Sequence, residues 1–116
     1  MLAAMDSEDA VIALSALAQG SRLDIFRLLV CAGPEGLAAG QIGERLGLAP
    51  ATLSFHLKTL RQGGLLTQRR DGRSLIYAPN YQRVNALLSY LTEHCCEGDV
   101  SACDLMVVRP PDGRDR

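Results

Sequence analysis

Apolar positions recur at helical spacing over most of the chain and give way to two short strand-like runs in one place. Residues 9–18 (DAVIALSALA) are rich in Ala, Leu and Val and predict a first helix, ended by Gly20. Ser21 is expected to cap a second helix, SRLDIFRLLVCA, with Asp24 favouring the positive end of its dipole. Leu23, Phe26 and Val30 recur at helical spacing there, as do Ile25, Leu28 and Leu29, and Cys31 is expected in the core among them. Gly33, Pro34 and Gly36 then break the chain. Residues 38–46 (AAGQIGERL) predict a third helix weakened by two internal glycines, each costing about 1 kcal/mol relative to Ala. After the short turn Gly47-Leu48-Ala49, Pro50 suits the first position of a fourth helix, PATLSFHLKTLRQ, which Gly63-Gly64 end.

The runs LLTQRR and RSLIYA flank Asp71-Gly72, a strong hairpin signal, and Pro79 closes the second run. Asn80 is placed to cap a fifth helix over residues 81–97, with a stripe of Val84, Leu87, Leu88 and Leu91 and Gly98 as its stop. The expected fold is mainly α with a small antiparallel β-hairpin, in the order α-α-α-α-β-β-α. One domain is expected over residues 1–108, followed by a disordered tail at 109–116 (RPPDGRDR). No run approaches the roughly 18 apolar residues of a membrane helix, so no membrane association is expected. The acidic start of the chain lacks a basic region followed by an apolar one, which predicts no secretion signal and a cytoplasmic protein.

Helix, short turn, helix and hairpin in this order form the plan of a winged helix–turn–helix, in which the second helix of the pair enters the major groove of DNA. At 100° per residue, Leu53, His56, Leu57 and Leu60 fall on one half of the fourth helix. Ala51, Ser54, Phe55, Lys58 and Gln62 fall on the other. The first half suits a core, and His56 on its edge reads better as a buried, hydrogen-bonded histidine than as a base reader. The second half suits a groove. Phe55 there needs a partner, either a thymine methyl or the hairpin. The hairpin tip places Arg69, Arg70 and Arg73 where they can reach phosphate or the minor groove. Because Arg69 and Arg70 point to opposite strand faces, both need not do so. Gln41 and Arg45, on the preceding helix, are candidates for phosphate contact or for plain solvation.

Charge alters the picture only through its distribution. The net charge of −1 argues against a nucleic-acid binder. Residues 40–83, however, carry +5, between flanks of −3 each. That basic middle is the local footprint phosphate binding needs.

The segments LAQGSRLDIFRLL, LGLAPATLSFHLKTLRQGGLL and RRDGRSLIYA together resemble the ArsR/SmtB family of metal-responsive repressors, over residues 11–92. The resemblance implies a homodimer built on the first and fifth helices, with two recognition helices on a palindromic double-stranded operator. The family's polar pair at the start of the recognition helix is replaced by Ala49-Pro50, which shifts base reading to Thr52, Ser54 and Phe55. The Cys-Val-Cys motif that arsenic-responsive members carry on the third helix is absent from residues 37–42. The spread of carboxylate and histidine ligands along the fifth helix of zinc sensors is absent too.

Of four cysteines, Cys95, Cys96 and Cys103 lie within nine positions of one another. Three thiolates without well-placed hard ligands favour a soft ion such as trivalent arsenic or antimony, which binds three sulfurs in a pyramid. Adjacent cysteines diverge by about 100° on an ideal helix, so convergence needs a frayed terminus before Gly98. The expected inducer is As(III) or Sb(III), with no cofactor required for DNA binding. Cadmium or lead sensing, a disulfide redox switch and plain packing of an interface remain open. A thiol enzyme is disfavoured because the carboxylates of Glu93, Glu97 and Asp99 oppose a thiolate nucleophile.

Overall fold

The computed structural model describes residues 5–93. Five helices and three strands follow in the order α1 (Ser7–Leu17), α2 (Gly20–Ala32), β1 (Leu37–Ala38), α3 (Ala39–Leu46), α4 (Pro50–Gln62), β2 (Leu66–Asp71), β3 (Ser74–Pro79) and α5 (Tyr81–Thr92). The predicted class, mainly α with an antiparallel hairpin, is the observed one. Residues 94–97 of the predicted fifth helix, the tail at 109–116 and Cys95, Cys96 and Cys103 lie outside the described residues. No helix among the described residues is long and apolar enough to cross a membrane.

Side-chain caps set several helix starts. The Asp6 carboxylate accepts from the Asp9 N–H at 2.8 Å, and the Asn80 carbonyl accepts from the Arg83 N–H at 3.3 Å. The cap of α2 is Gln19, whose Oε1 accepts from the Arg22 N–H at 2.9 Å. This corrects the expectation for Ser21, which lies inside the helix because the turn after Ala18 already places Gln19 in extended backbone.

The core gathers Ile25 and Leu29 of α2, Ile42 of α3, Leu53, Leu57 and Leu60 of α4, and Leu65 beside the sheet. Helix α1 meets this core through Ala10, Ala13 and Ala16. These small side chains allow a close approach: a Cβ on Gly63 would stand 2.8 Å from the Ala16 Cβ. The larger apolar residues of α1, Val11, Ile12 and Leu14, face outward. On α2, Cys31 is exposed, against its expected burial, and so are Leu23 and Val30. The helix turns only its Ile25–Leu29 edge fully inward, so the other apolar positions fall on its flanks.

The hairpin is part of a three-stranded antiparallel sheet in the order β1-β3-β2. Strand β1 is an addition to the expected order. Gly36, at φ 78, turns the chain against β3 and lets Leu37 pair with Tyr77. Asp71 pairs with Ser74, so the two-residue turn is Gly72-Arg73, one position later than the Asp71-Gly72 turn the sequence suggests. Gly72, at φ 66, supplies the left-handed conformation that such a turn requires at its first position.

Gly36 is the tightest point of this sheet. A Cβ there would collide with the Tyr77 carbonyl, and the backbone is left-handed as well. Gly36→Ala is expected to lower stability by about 2 kcal/mol or more in urea unfolding. An unchanged midpoint and slope would show that β1 is not held by this contact.

Candidate nucleic-acid interface

Helix α4 divides sharply into two faces. Leu53, Leu57 and Leu60 are buried, and His56 is only 7% exposed. Ala51, Thr52, Ser54, Phe55, Lys58 and Gln62 are all exposed. The inner face therefore fixes the helix to the core while the outer face offers small, hydroxyl, aromatic and cationic groups to solvent. Pro50 starts the helix without a side-chain cap on Ala49, and the turn before it is closed by a bond from the Leu48 N–H to the Gly43 carbonyl at 3.0 Å. With Gly47 in the left-handed conformation, that bond sets the angle between α3 and α4.

Phe55 is 61% exposed, and its ring lies tilted by 59° to that of His56 at a centroid distance of 5.7 Å. It does not fold back onto the hairpin, the alternative its sequence position left open. An exposed aromatic at the middle of a helix face is a contact residue in waiting.

His56 has a partner that sequence reading missed. The Arg22 Nη1 lies 3.4 Å from the His56 Nδ1, and its Nε donates to the Ala16 carbonyl at 2.7 Å. One guanidinium thus joins the end of α1, the start of α2 and the buried edge of α4. The only signal in sequence is that Arg22 is one of two cations on α2, beside Arg27. Nothing there names its partner across 34 positions.

Residues on the other elements divide between contact and support. The Gln41 Oε1 accepts from the Ala38 N–H at 2.9 Å and holds the start of α3, which leaves its amide N–H groups free of that bond. Arg69 donates to the Glu35 carbonyl at 2.8 Å, a bond that ties β2 to the loop before β1. Arg70 and Arg73 are exposed with no such tie, Arg70 on β2 and Arg73 in the turn itself. The outer side of α4 shares a groove with the body of the hairpin, where Ser54, Lys58 and Arg61 face Gln68, Leu75 and Tyr77. Among the described residues no three His, Cys, Asp or Glu side chains gather as a metal site.

The division of α4 predicts opposite responses to truncation. Leu57→Ala should cost about 2–5 kcal/mol in chemical unfolding. Phe55→Ala should stay within about 0.5 kcal/mol of the parent. Equal losses would mean that Phe55 packs inward.

The sequence and the fold have counterparts among known proteins. A family described as a helix–turn–helix domain matches residues 17–69. HlyU of Vibrio cholerae, a transcriptional activator, is 31% identical over 94 residues, covering 81% of this chain and 84% of that protein. Its solved structure has a TM-score of 0.62 at 30% identity, covering 80% of this chain and 100% of that one. An arsenical resistance operon repressor of Staphylococcus aureus is 33% identical over 78 residues, 67% of this chain and 72% of the repressor. A 59-residue stretch is 44% identical to the HTH-type transcriptional regulator YceK of Bacillus subtilis, of whose length this chain spans 58%. A homodimeric winged helix–turn–helix DNA-binding domain from Mycobacterium bovis, described as a possible ArsR-family regulator, has a TM-score of 0.60 at 29% identity, covering 78% and 83%. These relatives are named as transcriptional regulators, the class that the winged helix–turn–helix reading predicts and the thiol-enzyme alternative does not. With this fold, this two-faced α4 and these relatives, the chain belongs to the ArsR-like family of winged helix–turn–helix transcriptional regulators.

Proposed function

We propose that the protein is a dimeric repressor that holds a palindromic duplex operator and releases it on binding trivalent arsenic or antimony. The observation that carries the DNA reading is the exposed Thr52, Ser54, Phe55 and Lys58 surface of α4 beside the Arg70 and Arg73 wing. Small and hydroxyl groups let the helix approach base edges, and Phe55 offers an apolar face to a thymine methyl. The wing arginines supply phosphate or minor-groove contacts. DNA binding requires no cofactor.

Dimerisation rests on the large apolar side chains that α1 and α5 present to solvent. Val11 is 58% exposed and Leu88 56%, with Ile12, Leu14 and Leu91 also on the outside. Large apolar side chains exposed on two neighbouring helices need a cover, and a second copy of the chain supplies one; a relative of this fold is homodimeric. Two copies related by a two-fold axis read two half-sites, so operator symmetry mirrors protein symmetry.

The input is assigned to Cys95, Cys96 and Cys103, from their chemistry and spacing in the sequence. Three soft thiolates match a trivalent metalloid, and the arsenical repressor among the relatives lends support. A switch of this kind needs a coupling of about 1–3 kcal/mol between the two sites. The same thiols carry a second reading, because the vicinal pair Cys95-Cys96 and the nearby Cys103 could instead close a disulfide under oxidation.

The protein can select its own duplexes from a randomised pool, and arsenite is then titrated into the complex. Release by arsenite in the parent, weakened in Cys95→Ser, Cys96→Ser and Cys103→Ser, is the expected result. Undiminished release in all three variants overturns the metalloid assignment. Release by diamide, reversed by dithiothreitol and indifferent to arsenite, transfers the thiols to the redox reading. A parent protein that selects no duplex overturns the DNA reading itself.

On the same duplexes, Arg73→Ala should weaken binding evenly across sequences and lower the log–log salt slope by about one. A change in base preference would instead make Arg73 a base reader.

A further inference from the structure

A cavity of about 450 Å³ lies between α4 and the hairpin. Ser54, Lys58 and Arg61 of α4 form one wall, and Gln68 and Tyr77 of the sheet form part of the other. None of its lining residues is acidic. Among the described residues, neither Lys58 nor Arg61 forms an ion pair; the ion pair found is Arg83 with Asp9, on α5 and α1. The Gln68 Nε2 donates to the Tyr77 hydroxyl oxygen at 2.7 Å, which fixes the amide on the floor of the channel. Gln68 pairs with Tyr77 and Arg70 with Leu75, so Gln68, Arg70, Leu75 and Tyr77 share one face of the sheet. Leu75 lines the same cavity, so this face is the one turned to α4. Arg70 therefore adds a cation to the sheet side, beyond Gln68 toward the tip, whereas Arg69 points away and is spent on the Glu35 carbonyl.

We propose that this channel is the seat of one sugar–phosphate strand, gripped by Lys58 and Arg61 from α4 and by Gln68 and Arg70 from the wing. The proposal rests on the DNA-binding reading above and names where the backbone runs. A helix in the major groove and a hairpin at the adjacent minor groove are separated by one phosphate backbone, and that strand must pass between them. Here the space between them is open, free of carboxylates and walled by unpaired cations and a fixed amide. Lys58 and Arg61 stand three residues apart on one helical face, and so can address neighbouring phosphates of the same strand. Lys58 thus becomes a backbone contact, and base reading is left to Thr52, Ser54 and Phe55. Arg61, Gln68 and the side on which Arg70 acts are new to the site.

The test uses the full chain and the duplexes it selects. Lys58→Gln and Arg61→Gln should each lower the salt slope by about one and together by about two, with base preference unchanged. Arg61→Lys should restore the slope. Ethylation of backbone phosphates should interfere with the parent on one strand between the two grooves, and that interference should fade in Arg61→Gln. Because both cations are exposed, the variants should unfold at the parent's midpoint. Specific binding by the parent with slopes unchanged in both variants overturns the channel assignment alone. Altered base preference in Arg61→Gln overturns it too, by making Arg61 a base reader. A parent that binds no duplex fails before any variant is made, and that result belongs to the DNA reading.

Discussion

Everything that faces outward on α4 is positioned by what faces inward. Leu53, Leu57 and Leu60 lock into a core shared with Ile25, Leu29 and Ile42, so the helix can neither roll nor slide without opening a cavity. Rotation by a single residue position, about 100°, would bury Ser54 and Lys58 and expose leucine. The apolar contacts of the core thereby dictate which side chains meet a partner. The guanidinium of Arg22 adds a polar pin at the one inward position that is not aliphatic, His56.

Legibility in the sequence followed how local each determinant is. Helix α4 was readable to the residue because its period, its Pro50 start and its glycine stop all lie within one segment. The wing was readable because Asp71-Gly72 lies between two strand-like runs; only its register slipped by one, since Gly72 leads the turn. The outward face of α4 was equally plain, being the complement of the leucine face. What escaped depended on distant partners. Strand β1 exists because Gly36 brings two residues against Tyr77, some 40 positions later in the chain. Arg22 meets His56, and Arg69 meets Glu35, each across 34 positions. The exposed Leu23, Val30 and Cys31 escaped because helical spacing reveals an apolar stripe but not how wide a neighbour will cover it.

The arrangement of α1 follows a different logic from that of α4. Its alanines face the core and its branched residues face solvent, the reverse of a helix that stabilises a monomer. Small residues inside let α1 sit nearly backbone to backbone on the end of α4, at Ala16 and Gly63. Large residues outside keep apolar area in reserve. A displacement of α1 by whatever rests on its outer side is therefore passed to the end of α4 through little more than one layer of methyl groups. Such contacts have almost no slack to absorb a displacement.

The bond from Arg69 to the Glu35 carbonyl looks like a minor detail of the wing. A two-stranded hairpin projecting alone is marginally stable in water. Here the third strand and this guanidinium hold the hairpin at mid-length, at Ile76–Tyr77 and at Arg69. Its backbone freedom is surrendered during folding, when the core supplies the compensation. The arginines of the tip then meet a partner from a rigid platform, and the entropy that a loose arm would lose at that moment is spared. Of an otherwise symmetric-looking arginine pair, Arg69 thus serves the support of the hairpin, while Arg70 carries no such bond.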